Sequence, residues 1–156
     1  MQRRNIMTSQ ASEFEGSWRL MLYPSAGTEP HLSFASFMTG GVMMTSPPPV
    51  EQFPLTPGGI VFVSTGHGVW RAGDGSGAML TFSAQATDGQ GSVVGVGTVS
   101  ASMQLADDGQ GFAGTYAFEM ADPAGQNFAT EQGRVEAQRM VIQEANVSAS
   151  SARPAA

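Results

Sequence analysis

His67 stands between two glycines, Gly66 and Gly68, with Trp70 and Arg71 close behind, and it is one of only two histidines in the chain. An imidazole titrates near neutrality, so a histidine with backbone close on both sides is a candidate general acid or base. Strict alternation along an extended 66–71 stretch turns His67 and Trp70 to opposite faces. A bulge at either glycine would bring both to one side. Which face points inward therefore stays open, and hydrogen bonding at a strand edge is the commoner use of a lone histidine. Tyr116 is the second candidate. It shares an apolar face with Phe112, Phe118 and Met120, where a phenol needs a partner, either a ligand carbonyl or a backbone group. If the chain is a catalyst, His67 and Tyr116 are the residues that would polarise a carbonyl or hydroxyl.

Other chemistry lacks its parts. Without cysteine there is no disulfide, thiolate nucleophile or zinc-thiolate site, and without lysine no phosphate-binding Gly-x-x-x-x-Gly-Lys loop. His31 and His67 alone, with no carboxylate pair nearby, are too few for a metal site. The Gly-x-Gly pairs at Gly75, Gly89 and Gly95 lack the third glycine and the helix of a dinucleotide site. The Asp-Gly runs lack calcium-loop spacing. No cofactor is expected. The net charge is −6, with seven arginines against thirteen carboxylates, which leaves no basic face for nucleic acid or an anionic membrane.

The elements that must position these residues read as strands. Residues 14–23 form a first strand with Trp18, Leu20 and Leu22 on one face and Arg19 on the other. Residues 31–38 and 42–45 form a hairpin turned at Thr39-Gly40-Gly41. Five further strands, 67–72, 78–86, 92–105, 112–120 and 127–142, are punctuated by Asp74-Gly75, Asp88-Gly89, Asp108-Gly109 and Asp122-Pro123-Ala124-Gly125. Residues 131–143 also carry a weak helical pattern; Gly133 inside it, and the first strand's need for a partner, favour a strand. Residues 46–65 hold five prolines together with Val50, Phe53, Leu55 and Phe62, a composition that suits an ordered flap over a binding site better than a solvated linker.

Eight short-looped strands, each with one apolar and one wet face and no helix to cover a sheet, predict an all-β fold. It is an eight-stranded antiparallel up-and-down barrel with a proline-rich flap. The expected layout is a disordered leader at 1–12, one barrel domain at 13–143 and a disordered tail at 144–156. No apolar run follows Arg3 and Arg4 and none approaches a membrane span, so the expected location is cytoplasmic. Oligomeric state is not legible.

Gly16-Ser17-Trp18 on the first strand, the eight-strand pattern and Arg139 near the end of the last strand resemble the calycin superfamily, whose best-known members are the lipocalins. More narrowly, the Gly-x-Trp, Gly-His-Gly-x-Trp and Asp-Gly order is similar to small actinobacterial lipocalin-like proteins. The resemblance covers roughly residues 14–142. It implies that Trp18 and Arg139 stack to plug the closed end of the barrel.

The apolar composition, 41% hydrophobic with ten methionines and nine phenylalanines, predicts a greasy interior that suits an adaptable pocket. Phe34, Met43, Phe62, Trp70, Phe82, Met103 and Phe118 are the expected ligand-lining residues, and the partner is one hydrophobic small molecule, partly conjugated or polycyclic. Three functions stay open: a binder of that molecule; a cofactor-independent isomerase or cyclase that folds a hydrophobic natural-product intermediate into a reactive conformer; or an interaction protein with a filled core.

Overall fold

A computed structural model describes residues 13–52 and 59–143, with only the backbone at 51 and 52. The leader at 1–12, the tail at 144–156 and the flap's Phe53 and Leu55 fall outside the described residues. The strands are β1 (Gly16–Pro24), β2 (His31–Met38), β3 (Val42–Ser46), β4 (Val50–Gln52), β5 (Ile60–Val63), β6 (Gly66–Ala72), β7 (Gly77–Thr87), β8 (Val93–Leu105), β9 (Gly111–Ala121) and β10 (Asn127–Arg139). Eight of them close a barrel in the order β1-β2-β3-β6-β7-β8-β9-β10, every pairing is antiparallel, and β10 returns to β1. The short β4–β5 hairpin lies outside the closed ring, joined to the end of β7 through Phe62 opposite Thr87 and Val63 opposite Ala86.

The predicted turns hold the register by local hydrogen bonds. Asp88 Oδ1 accepts from the amides of Gln90 and Ser92, and Asp122 Oδ1 from those of Ala124 and Gln126. Each loop is an aspartate-capped turn whose glycine, Gly91 or Gly125, takes the left-handed conformation. β10 stops at Arg139, three residues short of the expected 142. Its partner β1 has run out there: Trp18 pairs with Arg139, and Gly16 at φ +125° turns the chain away toward Phe14. Met140, Val141 and Ile142 are left exposed.

The core is concentrated at one end. Phe14, Trp18, Phe37, Trp70 and Phe112 meet there with ring centroids 4.9 to 6.4 Å apart, above a layer that includes Met43, Leu80, Met103 and Leu105. Both indoles are satisfied: Trp18 Nε1 donates to the Phe14 carbonyl at 2.9 Å and Trp70 Nε1 to that of Met38 at 3.1 Å. The Arg139 guanidinium sits 4.2 Å from the centre of the Trp18 ring. It donates to the carbonyls of Gly109, Glu15 and Glu13, so one side chain ties β10 to the β8–β9 turn and to the segment ahead of β1. This is the floor of the barrel.

The opposite end carries a second, smaller cluster. Val61 of β5 is 1% exposed and packs with Ala86 and Met120, flanked by Val63, Val94, Phe118 and Ala129. The β4–β5 hairpin thereby covers the β7–β10 side of the mouth. The Val63 amide donating to the Pro49 carbonyl closes the hairpin on itself, and the Ser64 amide donating to the Gln85 carbonyl adds to its attachment on β7.

Candidate ligand site in the barrel lumen

Between floor and cap, Leu20, Leu22, Phe82, Val99, Ala101 and Phe118 point inward and pack on the floor cluster, yet remain only partly buried. They form the apolar inner wall of the lumen between floor and cap. The register places them. Glu131, Phe118, Val99, Phe82 and Gly68 stand side by side on the inner wall. One row nearer the floor come Gly133, Tyr116, Ala101, Leu80 and Trp70.

Glycines on this wall make room for its aromatic rings. A Cβ on Gly66 would lie 2.8 Å from the Phe82 ring, one on Gly97 2.7 Å from the Phe118 ring, and one on Gly133 2.6 Å from the Tyr116 ring. Each aromatic occupies the place where its neighbour's side chain would stand. The rings therefore lie along the wall instead of reaching across the axis, an arrangement that also shields the glycine backbone.

The polar groups of the lumen are few. The Tyr116 hydroxyl donates to Glu131 Oε1 at 2.8 Å. Ser33 and Thr45, both buried, face each other at 3.4 Å, and Ser33 donates to the Ser46 carbonyl at 3.0 Å. His31, opposite Leu22, stands half-buried on the inner face at the rim of β2. Arg19, Arg71 and Arg134 stand on the exposed face; Arg134 lies 4.8 Å from the Tyr23 ring centre and pairs with Glu136 at 3.0 Å. Among the described residues no group of three or more metal-ligating side chains is placed to hold an ion, and no helix is long and apolar enough to cross a membrane.

The sequence-predicted residues separate into three groups. Phe82 and Phe118 face the lumen partly buried, and Tyr116, 6% exposed and part of the floor cluster, faces inward one row below them. Met43, Trp70 and Met103 face inward but lie in the floor, 1%, 6% and 5% exposed, beneath the open space. Phe34, Phe62 and His67 point outward. The interior side of β2 is occupied by Ser33, Ala35 and Phe37 and that of β5 by Val61, which leaves Phe34 and Phe62 on the solvent face, 42% and 47% exposed.

His67 follows from its glycines. The β6–β7 register runs unbroken from His67–Ser83 to Ala72–Ala78, so no bulge re-aims it. Gly66 and Gly68 take the inner positions against Phe82 and the histidine between them must face out.

The residue that sequence reasoning missed is Glu131. Its parity with Gly133, Val135 and Ala137 on β10 carries the signal, because those are the inward positions. Two grooves of about 810 and 820 Å³ also indent the barrel. Both follow the pleat on the outer wall, the first between the Val69-Thr81-Ser100-Ala117 row and the Arg71-Met79-Ser102-Thr115 row, and neither includes Glu131.

No family model matches the chain, and comparisons with curated proteins and with solved structures return no match. The functional reading rests on the barrel's own geometry.

Proposed function

We propose that this calycin-like barrel binds one apolar small molecule in its lumen, in a cytoplasmic setting, with the β4–β5 hairpin as a cap that moves to admit it. The supporting observation is the ring of inward-facing but partly accessible apolar side chains between floor and cap. A filled core would have buried them as it buries Trp18 and Phe37. Eight strands give a barrel wide enough for one such molecule. The cap is a small unit held to the ring through two paired residues of β7, the Ser64–Gln85 and Thr87–Phe62 hydrogen bonds and the Val61 contacts, and a unit of that size opens at less cost than the barrel unfolds.

The test fills the space. Ala101 lies at mid-height between Tyr116 and Leu80, so Ala101→Phe places a ring in the lumen. The expected result is that a molecule which native mass spectrometry detects on the unaltered protein as purified is absent from the variant, or that the variant's affinity for an added apolar probe is roughly tenfold weaker, with stability changed by less than about 1 kcal/mol. Unchanged binding in that variant would place the ligand elsewhere.

The Tyr116–Glu131 hydrogen bond supports a second reading, a cofactor-independent isomerase or cyclase. A phenol whose proton is held by a carboxylate keeps its oxygen free to accept, so it is placed to polarise a substrate hydroxyl while the apolar wall templates the substrate's conformation. Under that reading Tyr116→Phe loses turnover and keeps substrate affinity.

A further inference from the structure

The lumen's charge is one-sided. Glu131 faces it from the same row as Phe118, Val99 and Phe82, with Tyr116 donating to one carboxylate oxygen. Of the described cationic groups, Arg139 is committed to three backbone carbonyls in the floor, and Arg19, Arg71 and Arg134 stand on the exposed face. The inner-facing histidine, His31, sits at the rim of β2, opposite Leu22. A carboxylate looking into apolar surroundings is stabilised by donors, and a single neutral phenol is a weak match for it.

Resting on the lumen reading above, we infer that the molecule bound there is an apolar amine, its body against Leu20, Leu22, Val99 and Phe82 and its ammonium on Glu131. The same charge selects against apolar carboxylic acids, whose head would meet a like charge with no arginine or lysine to screen it. Tyr116 acts as a positioning residue: its hydrogen bond holds the carboxylate against the wall and aims it across the lumen.

Three matched probes test this by isothermal titration calorimetry: naphthylmethylammonium, naphthylmethanol and naphthylacetate, with the same ring and different heads. The expected result is roughly tenfold or greater preference for the ammonium over the alcohol, as for a charge-assisted hydrogen bond, and the weakest binding for the acid. Glu131→Gln keeps the shape and a hydrogen bond from Tyr116; it should bring ammonium and alcohol to equal affinity, chiefly by weakening the ammonium. Equal affinities for all three probes in the unaltered protein, or a preference for the acid, would overturn the amine assignment and leave the lumen reading standing. Failure of all three to bind, or binding unaffected by Ala101→Phe, would overturn the lumen reading and the assignment with it. A preference for the ammonium that survives Glu131→Gln would overturn the role given to Glu131.

Discussion

Trp18→Ala is expected to lower the free energy of unfolding by about 3–5 kcal/mol, the usual cost of truncating a large aromatic in a packed core. Against a typical total of about 5–15 kcal/mol, that loss puts the barrel near its folding threshold. The reason is where Trp18 lies. It is fully buried, its ring is 4.9 Å from Phe112, its indole nitrogen holds the Phe14 carbonyl, and Arg139 covers its other face. Removing the ring leaves a cavity in the floor and also removes the surface on which Arg139 rests.

Arg139→Ala should cost about 2–4 kcal/mol, because carbonyls of Glu13, Glu15 and Gly109 lose a charged donor and the stacked contact disappears together with them. Arg139→Lys should recover only part of this, since an ammonium has neither the planar fork nor the stacking face. In urea titrations the double variant should fall short of the sum of the two single losses by about 0.5–3 kcal/mol. Strict additivity would mean that the two side chains stabilise the floor independently.

That plug is legible in the amino-acid sequence because its parts are local and chemical: a tryptophan after a glycine on the first strand and an arginine at the end of the last. The strand count is legible for a similar reason, since each tight hairpin carries a glycine in the left-handed region, directly after an aspartate at Gly75 and Gly109, three residues after one at Gly91 and Gly125, and in the Thr39-Gly40-Gly41 turn without one. Orientation is harder where both faces of a strand are apolar. On β2 the outward Leu32, Phe34 and Met38 are larger than the inward Ser33 and Ala35. Size alone would turn the strand over. Phe34 and Phe37, three residues apart, cannot both face inward, and Phe37 wins because the floor aromatics need it. The same conflict reverses β5, where Val61 closes the cap and Phe62 faces solvent. Glu131 escapes for a different reason. Its partner Tyr116 lies fifteen residues away and diagonal to it, since Tyr116 is directly opposite Gly133, and only a settled β9–β10 register brings the two together.

The Gly66-His67-Gly68 motif supplies the other large effect, and it should come from the glycines. A Cβ on Gly68 would lie 2.2 Å from the Thr81 carbonyl oxygen and 2.5 Å from the Phe82 Cβ. The first of these atoms belongs to the β7 backbone and cannot rotate away. Gly68→Ala must therefore separate β6 from β7 over the stretch where their ladder runs continuously, and it should destabilise the barrel by about 3 kcal/mol or more, at the upper end of the cost of overpacking. Strand separation at that point also shifts Phe82, so any protein that still folds should bind an apolar probe less well. His67→Ala, at an exposed outward position between Met44 and Ser83, should change stability by less than about 0.5 kcal/mol and leave binding unaltered. The two variants sit one residue apart, so thermal or urea unfolding of each, read beside probe affinity, separates a histidine that does chemistry from one that glycines have turned outward. A loss of binding in His67→Ala at unchanged stability would return His67 to the site. A tolerated Gly68→Ala would mean that β6 and β7 do not approach as closely as the Phe82 cradle requires, and the placing of Phe82 on the inner wall depends on that approach.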